Sequence, residues 1–129
     1  MRGPGRRLFP MLSVESLEAS LRFYEARLGG ERSYQFPGEG EAAFVVLRFD
    51  QTELGLGQLG AGPSLHGQPQ RPATGHRIEL CLYVSGLDAT VAALAAQGAP
   101  VLLKPTAQPW GERVAYVGDP DGNLVMLVE

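Results

Sequence analysis

Ile78-Glu79-Leu80-Cys81-Leu82-Tyr83-Val84 alternates residue by residue, continuing from Arg77, with Ile78, Leu80, Leu82 and Val84 on one face and Glu79, Cys81 and Tyr83 on the other. Side chains of a strand point to opposite sides in turn, so this run predicts a strand with one buried face. A helix follows, carrying Leu87, Val91 and Leu94 and stopping at Gly98. Strands are expected near 100–104, 112–118 and 123–128, the last two joined by Asp119-Pro120-Asp121-Gly122, which suits a type I turn.

The same plan stands 70 residues earlier, with Val14 on Val84, Leu17 on Leu87, Leu21 on Val91 and Tyr24 on Leu94. In residues 8–14, Leu8, Pro10, Leu12 and Val14 share one face, and Phe9, Met11 and Ser13 the other. Pro10 predicts an edge position or a break in the ladder. Ser16 reads as the N-cap of a helix whose apolar stripe is Leu17, Leu21, Tyr24 and Leu28, widened by Phe23 and ended by Gly29-Gly30. Strands are expected at about 31–36, 42–49 and 52–58.

The expected organisation is therefore a flexible N-terminal arm at 1–7, a strand–helix–three-strand module at 8–59, a linker at 60–76 and a second such module at 77–129. The linker holds Gly60, Gly62, Pro63, Gly67, Pro69, Pro72 and Gly75 and almost no apolar period. Each module has one helix, enough to cover one sheet face. The other face must be covered by the second module, a partner chain or a ligand.

Bulk composition narrows the function classes. Hydrophobic residues make up 44% and charged residues 19% of 129, ordinary values for a chain with a core. A net charge of −3 argues against nucleic acid or an anionic membrane as partner. Arg2, Arg6 and Arg7 form the one basic cluster and read as a loose terminal arm rather than a binding patch. Cys81 stands alone, so no internal disulfide is implied; with no signal-peptide pattern or membrane-length apolar run, a cytoplasmic location is expected.

Gly55-Leu56-Gly57-Gln58-Leu59-Gly60 matches the letters of a dinucleotide-binding loop, but Pro63 and the linker follow it, not a helix whose N-terminus would hold a pyrophosphate. His66 and His76 fall in or beside the linker at no recognised metal spacing, and Cys81 has no His or Lys nearby in sequence to activate it.

Taken in order, Met11-Leu12-Ser13-Val14, Ser16-Leu17, Arg22-Phe23-Tyr24, Leu28-Gly29, Leu82-Tyr83-Val84, Gln97-Gly98, Trp110-Gly111-Glu112-Arg113 and Asp119-Pro120-Asp121-Gly122-Asn123 resemble the vicinal oxygen chelate superfamily. That superfamily includes glyoxalase I, extradiol dioxygenases and the fosfomycin- and bleomycin-resistance proteins. The resemblance implies an α+β fold of two βαβββ modules whose curved mixed sheets surround a cavity. It also places the metal-ligand positions of the family's metalloenzymes at Phe9, Glu53, Glu79 and Met126. Phenylalanine has no ligand atom and methionine only a soft thioether, so no metal and no other cofactor is expected.

Glu53 and Glu79 stand opposite their strands' apolar residues, which aims them away from the helix-covered core. On the cavity they would attract a cationic ligand or serve as general bases; the alternative is a solvated face or a salt bridge to Arg48 or Arg113. Phe9, Met11, Tyr83 and Met126 would wall such a cavity, although core packing accounts for the same residue types. Trp110, between Pro109 and Gly111, would stack on a planar or cationic ligand or anchor one module to the other.

The expected function is metal-independent sequestration of a small organic molecule of aromatic, cationic or antibiotic-like character, by a homodimer resembling the bleomycin-resistance proteins. The rival is a glyoxalase-like lyase or isomerase, or a dioxygenase-like enzyme, using Glu53 and Glu79 with or without a weakly held divalent ion.

Overall fold

The computed structural model describes every residue except 1, 2, 5, 63, 64, 73 and 77, so Arg2, Pro63 and Arg77 fall outside the described residues. The first module runs β1 (Met11–Val14), α1 (Leu17–Leu21), a π-helical segment (Arg22–Arg27), β2 (Glu31–Phe36), β3 (Phe44–Phe49) and β4 (Thr52–Gln58). The second runs β5 (Glu79–Tyr83), α2 (Leu87–Ala96), β6 (Val101–Ala107), β7 (Arg113–Gly118) and β8 (Leu124–Val128). Each forms a four-stranded mixed sheet, in the orders β1-β4-β3-β2 and β5-β8-β7-β6. The first strand of each module pairs parallel with the last, and the other pairs are antiparallel. This is the α+β, two-module architecture expected; the sheets do not close into a barrel.

Ser16 caps α1 as the sequence implies, its Oγ accepting from the Ala19 N–H at 3.1 Å. Gln58 at the end of β4 secures the same turn, accepting from Leu17 N–H at 2.8 Å and donating to the Glu15 carbonyl at 2.7 Å. The helix then widens: Leu28 N–H reaches back five residues to the Phe23 carbonyl at 3.1 Å. The wider turn buries both Phe23 and Tyr24, whose rings meet edge-on at 4.8 Å. Gly30 follows where a Cβ would stand 2.8 Å from the Phe49 ring, so only glycine lets β2 start this close to β3.

Two strand boundaries and the terminal arm differ most from the sequence reading. β1 begins at Met11, not Leu8, because Pro10 has no N–H for the ladder, though its carbonyl still accepts from Gly55 N–H at 2.9 Å. β1 is an edge strand, as the proline implied. β6 extends to Ala107, beyond the expected 104 and through Pro105; as the outer strand of its sheet, with irregular register, it tolerates a missing donor. In the N-terminal arm Arg7 is engaged rather than loose, ion-paired with Glu53 and lying 4.8 Å from the centre of the Phe9 ring.

The helix-facing sides of both sheets belong to one core, which runs from Val14, Val45, Leu47 and Leu56 through Phe23 and Tyr24 to Leu87, Leu94, Val117 and Leu127. A buried polar clasp crosses it. Tyr24 donates its hydroxyl to Asp119 Oδ2 at 2.6 Å, while Asp119 also accepts from the backbone N–H groups of Asp121 and Asn123 and from Asn123 Nδ2. At the other end α2 begins at Gly86-Leu87, whose N–H groups both donate to the Glu129 carboxylate, at 2.9 and 3.1 Å.

Candidate functional site

Because strand side chains alternate, packing the helix-covered sides into one core leaves each sheet a second, open face. On the first sheet this face carries Phe9 and Met11 beside Glu53, since Met11 pairs with Gly55. Phe44 and Val46 continue it on β3, and Tyr34 and Phe36 on β2. A Cβ on Gly55 would stand 3.0 Å from Met11 Cγ and 3.1 Å from Phe44 Cζ, so the bare backbone admits both side chains. That packing explains the first glycine of the Gly55–Gly60 run without any phosphate.

On the second sheet the open face holds Glu79, Cys81 and Tyr83 of β5, Leu124 and Met126 of β8, and Tyr116 of β7; Met126 pairs with both Cys81 and Tyr116. Trp110 and Glu112 precede β7 at its Tyr83 end. Tyr116 donates to Glu79 Oε1 at 2.5 Å, and Trp110 Nε1–H donates to Glu112 Oε1 at 2.8 Å. A hydrogen bond to Glu112, then that carboxylate's charge, hold the Tyr83 phenol above its ordinary pKa. Tyr116 is raised likewise by its bond to Glu79. Burial, followed by the charges of Glu112 and Glu79, pushes the Cys81 thiol up, which disfavours the reactive thiolate.

The seven candidate residues thus fall into two groups: Phe9, Met11 and Glu53 on one sheet, and Glu79, Tyr83, Trp110 and Met126 on the other. Among the described residues no hydrogen bond, ion pair or ring contact joins Glu53 to Glu79. Among the described residues neither Arg48 nor Arg113 forms an ion pair with them: Arg48, opposite Glu53 in the ladder, pairs with Glu31 and Arg113 with Asp88, while Glu53 takes Arg7 and a hydrogen bond from Ser33. Glu112 and Tyr116 were not singled out from sequence. Both lie at period two from Val114, continuing the open face through the Trp110-Gly111-Glu112 motif, which was the signal available.

A cleft of about 210 Å³ between the modules is bounded by Pro10, Tyr24, Phe49, Leu80 and Val125 and also by Glu53 and Cys81, so of the candidate residues Glu53 reaches it. His66 accepts from the Gln68 N–H within the linker. Among the described residues no three of His, Cys, Asp and Glu gather to hold a metal. The four positions that would hold one in the family's metalloenzymes offer a ring, a thioether, a carboxylate facing an arginine and a carboxylate bonded to a phenol. That donor set does not fit a divalent ion.

Two repeated modules, each with its first strand parallel to its last and one sheet face left open, define a protein of the paired-βαβββ class. The family model "Glyoxalase/Bleomycin resistance protein/Dioxygenase superfamily" matches residues 8–127, and the chain belongs to that superfamily. It is similar in structure to a member of the superfamily from Sphaerobacter thermophilus, with 27% identity, TM-score 0.68 and coverage of 96% of this chain and 97% of that one. It shares the fold of TioX from a Micromonospora species (19%, TM-score 0.71, 97% and 98% covered). It also shares that of a glyoxalase-related enzyme from Fulvimarina pelagi (21%, TM-score 0.76, 95% and 87% covered). No curated protein matches it by sequence.

Proposed function

We propose that this chain binds and sequesters a small organic molecule without a metal, on the open face of its second sheet, as bleomycin-resistance-type members of its superfamily do. The observation that carries the reading is the donor set at the four family positions: Phe9 and Met126 have no hard ligand atom, and Glu53 and Glu79 are already engaged by Arg7 and Tyr116. What remains on the second sheet is a wall of Tyr83, Trp110, Tyr116 and Met126, the mostly apolar lining with few polar groups that small-molecule sites use. The rival reading, a lyase or isomerase, draws on Glu79, whose bonded phenol is a proton source. Its second family-position carboxylate is not available as a base, because Glu53 is held by an arginine.

A second copy supplies the cover. The chain exposes 8925 Å², against roughly 6,600 Å² for a compact monomer of its mass. Part of the excess is arm and linker, but Met11, Tyr34 and Phe36 on one open face and Tyr83 and Trp110 on the other are more than half exposed. A two-fold dimer that lays the first face of each copy over the second face of the other covers both at once. Among the described residues no helix is long and apolar enough to cross a membrane. Our proposal of a cytoplasmic location rests on the lone cysteine, which calls for no oxidising compartment.

The test pairs two measurements on the full chain. Metal analysis of protein purified without chelators is expected to find no stoichiometric zinc, nickel, manganese or iron. A thermal-shift screen of antibiotics and aromatic amines is expected to find compounds that raise the melting point, because they bind only the folded state. Stoichiometric metal would overturn the reading in favour of the enzyme.

A further inference from the structure

The two open faces handle their carboxylates differently. On the first sheet they meet arginines: Glu53 pairs with Arg7, and Glu31 with Arg48. On the second sheet they meet neutral donors: Glu79 takes the Tyr116 hydroxyl, and Glu112 the Trp110 indole N–H. Among the described residues no ion pair involves Glu79 or Glu112. Arg113, the next residue after Glu112, alternates to the other side and forks onto Asp88 at 2.7 and 3.0 Å.

A neutral donor orients a carboxylate without cancelling its charge. It also fixes the ring that donates. The Trp110 N–H is spent on Glu112, so the ring's edge is committed while its side remains open, with the residue 64% exposed; Tyr83, whose phenol the same carboxylate holds protonated, is 67% exposed. Aromatic faces are electron-rich and attract cations, as do carboxylates, so both features of this surface favour one ligand charge and oppose the other.

Resting on the reading that this face takes a small molecule, we propose that it selects an organic cation, an ammonium or amidinium group on an apolar body, with Glu112 as the residue that reads the charge. Carboxylates and phosphates are excluded by the same residues.

Trp110 is the chain's one tryptophan, so its fluorescence reports on this face directly. The probes are 3-phenylpropylammonium, 3-phenylpropanol and 3-phenylpropanoate, which share a body and differ in charge. Titrated into the full-length protein at low salt, the ammonium is expected to bind at least about tenfold more tightly than the alcohol, and the carboxylate most weakly. In Glu112→Gln, whose amide oxygen still accepts from Trp110, the ammonium-to-alcohol ratio should fall below about threefold, whereas Glu112→Asp should retain a preference. Equal binding of ammonium and alcohol to the wild type, or a preference undiminished in Glu112→Gln, overturns the cation assignment and leaves small-molecule binding standing. If no probe of any charge moves the Trp110 signal, the binding reading fails and takes this one with it. Should Glu112→Gln not fold, the wild-type comparison decides alone.

Discussion

Tyr24 and Asp119, 95 residues apart, meet in a 2.6 Å hydrogen bond that is the buried polar link between the two modules. Tyr24→Phe keeps the ring packing and removes the donor, leaving a buried carboxylate one partner short. We expect a loss of about 1–3 kcal/mol in urea unfolding. An unchanged midpoint would show that the clasp orders the modules without stabilising them.

The same pair predicts an alkaline limit. Burial first, and then the Asp119 charge, hold the Tyr24 phenol far above its ordinary value. The native phenol keeps its proton after the unfolded chain's phenol loses it near about pH 10, so its contribution is complete below that pH and drains away above it. Wild-type stability should therefore fall more steeply than that of Tyr24→Phe on going above about pH 10, by up to about 1.4 kcal/mol per pH unit. Parallel curves for the two proteins would contradict the assignment.

Glu129 gives the opposite sign. Its bonds to the Gly86 and Leu87 N–H groups, with the Arg113 charge assisting, hold the carboxyl below its ordinary value. Its support for α2 is present above the unfolded value, near about 4.3, and is lost as pH falls through the folded one. Glu129→Ala should melt earlier than wild type at neutral pH, and the two should converge in acid. A gap that persists unchanged in acid would mean the residue acts through packing instead.

At Gly55 the constraint is steric. Gly55→Ala puts a methyl against Met11 and Phe44, and we expect a cost of about 1–3 kcal/mol. Combining it with Met11→Ala should cost less than the two changes summed, because the second relieves the first. Strict additivity would place the strain elsewhere.

The proposed cover has its own measurement. Sedimentation of the wild type should give a dimer, and Phe36→Glu, on the exposed face of the first sheet, should shift it toward monomer while the melt stays cooperative. A monomeric wild type at micromolar concentration would remove the second copy from the account.

Period-two alternation made both sheets legible in sequence, and the distance between Val14 and Val84 made the repeat legible. What it could not reveal was a helix that changes pitch at Arg22, because Phe23 and Tyr24 being buried together depends on one backbone bond between Leu28 and Phe23. Nor could it pair the site's charges. Arg48 lies opposite Glu53 on the strand map, yet the partner of Glu53 is Arg7, 46 residues back in a segment without periodicity. Glu112 and Tyr116 were readable as open-face positions by counting from Val114, but their importance lies in their partners: Tyr116 donates across β8 to Glu79, and Glu112 accepts from Trp110 two residues before it.

By seating the Arg7 guanidinium against Glu53 and over Phe9, the chain's own beginning fills on the first sheet the place a positively charged visitor would take. On the proposed function, a molecule built from two copies of one plan is lopsided, with one face for the guest. Its occupancy at saturation should be one guest for each polypeptide, not two.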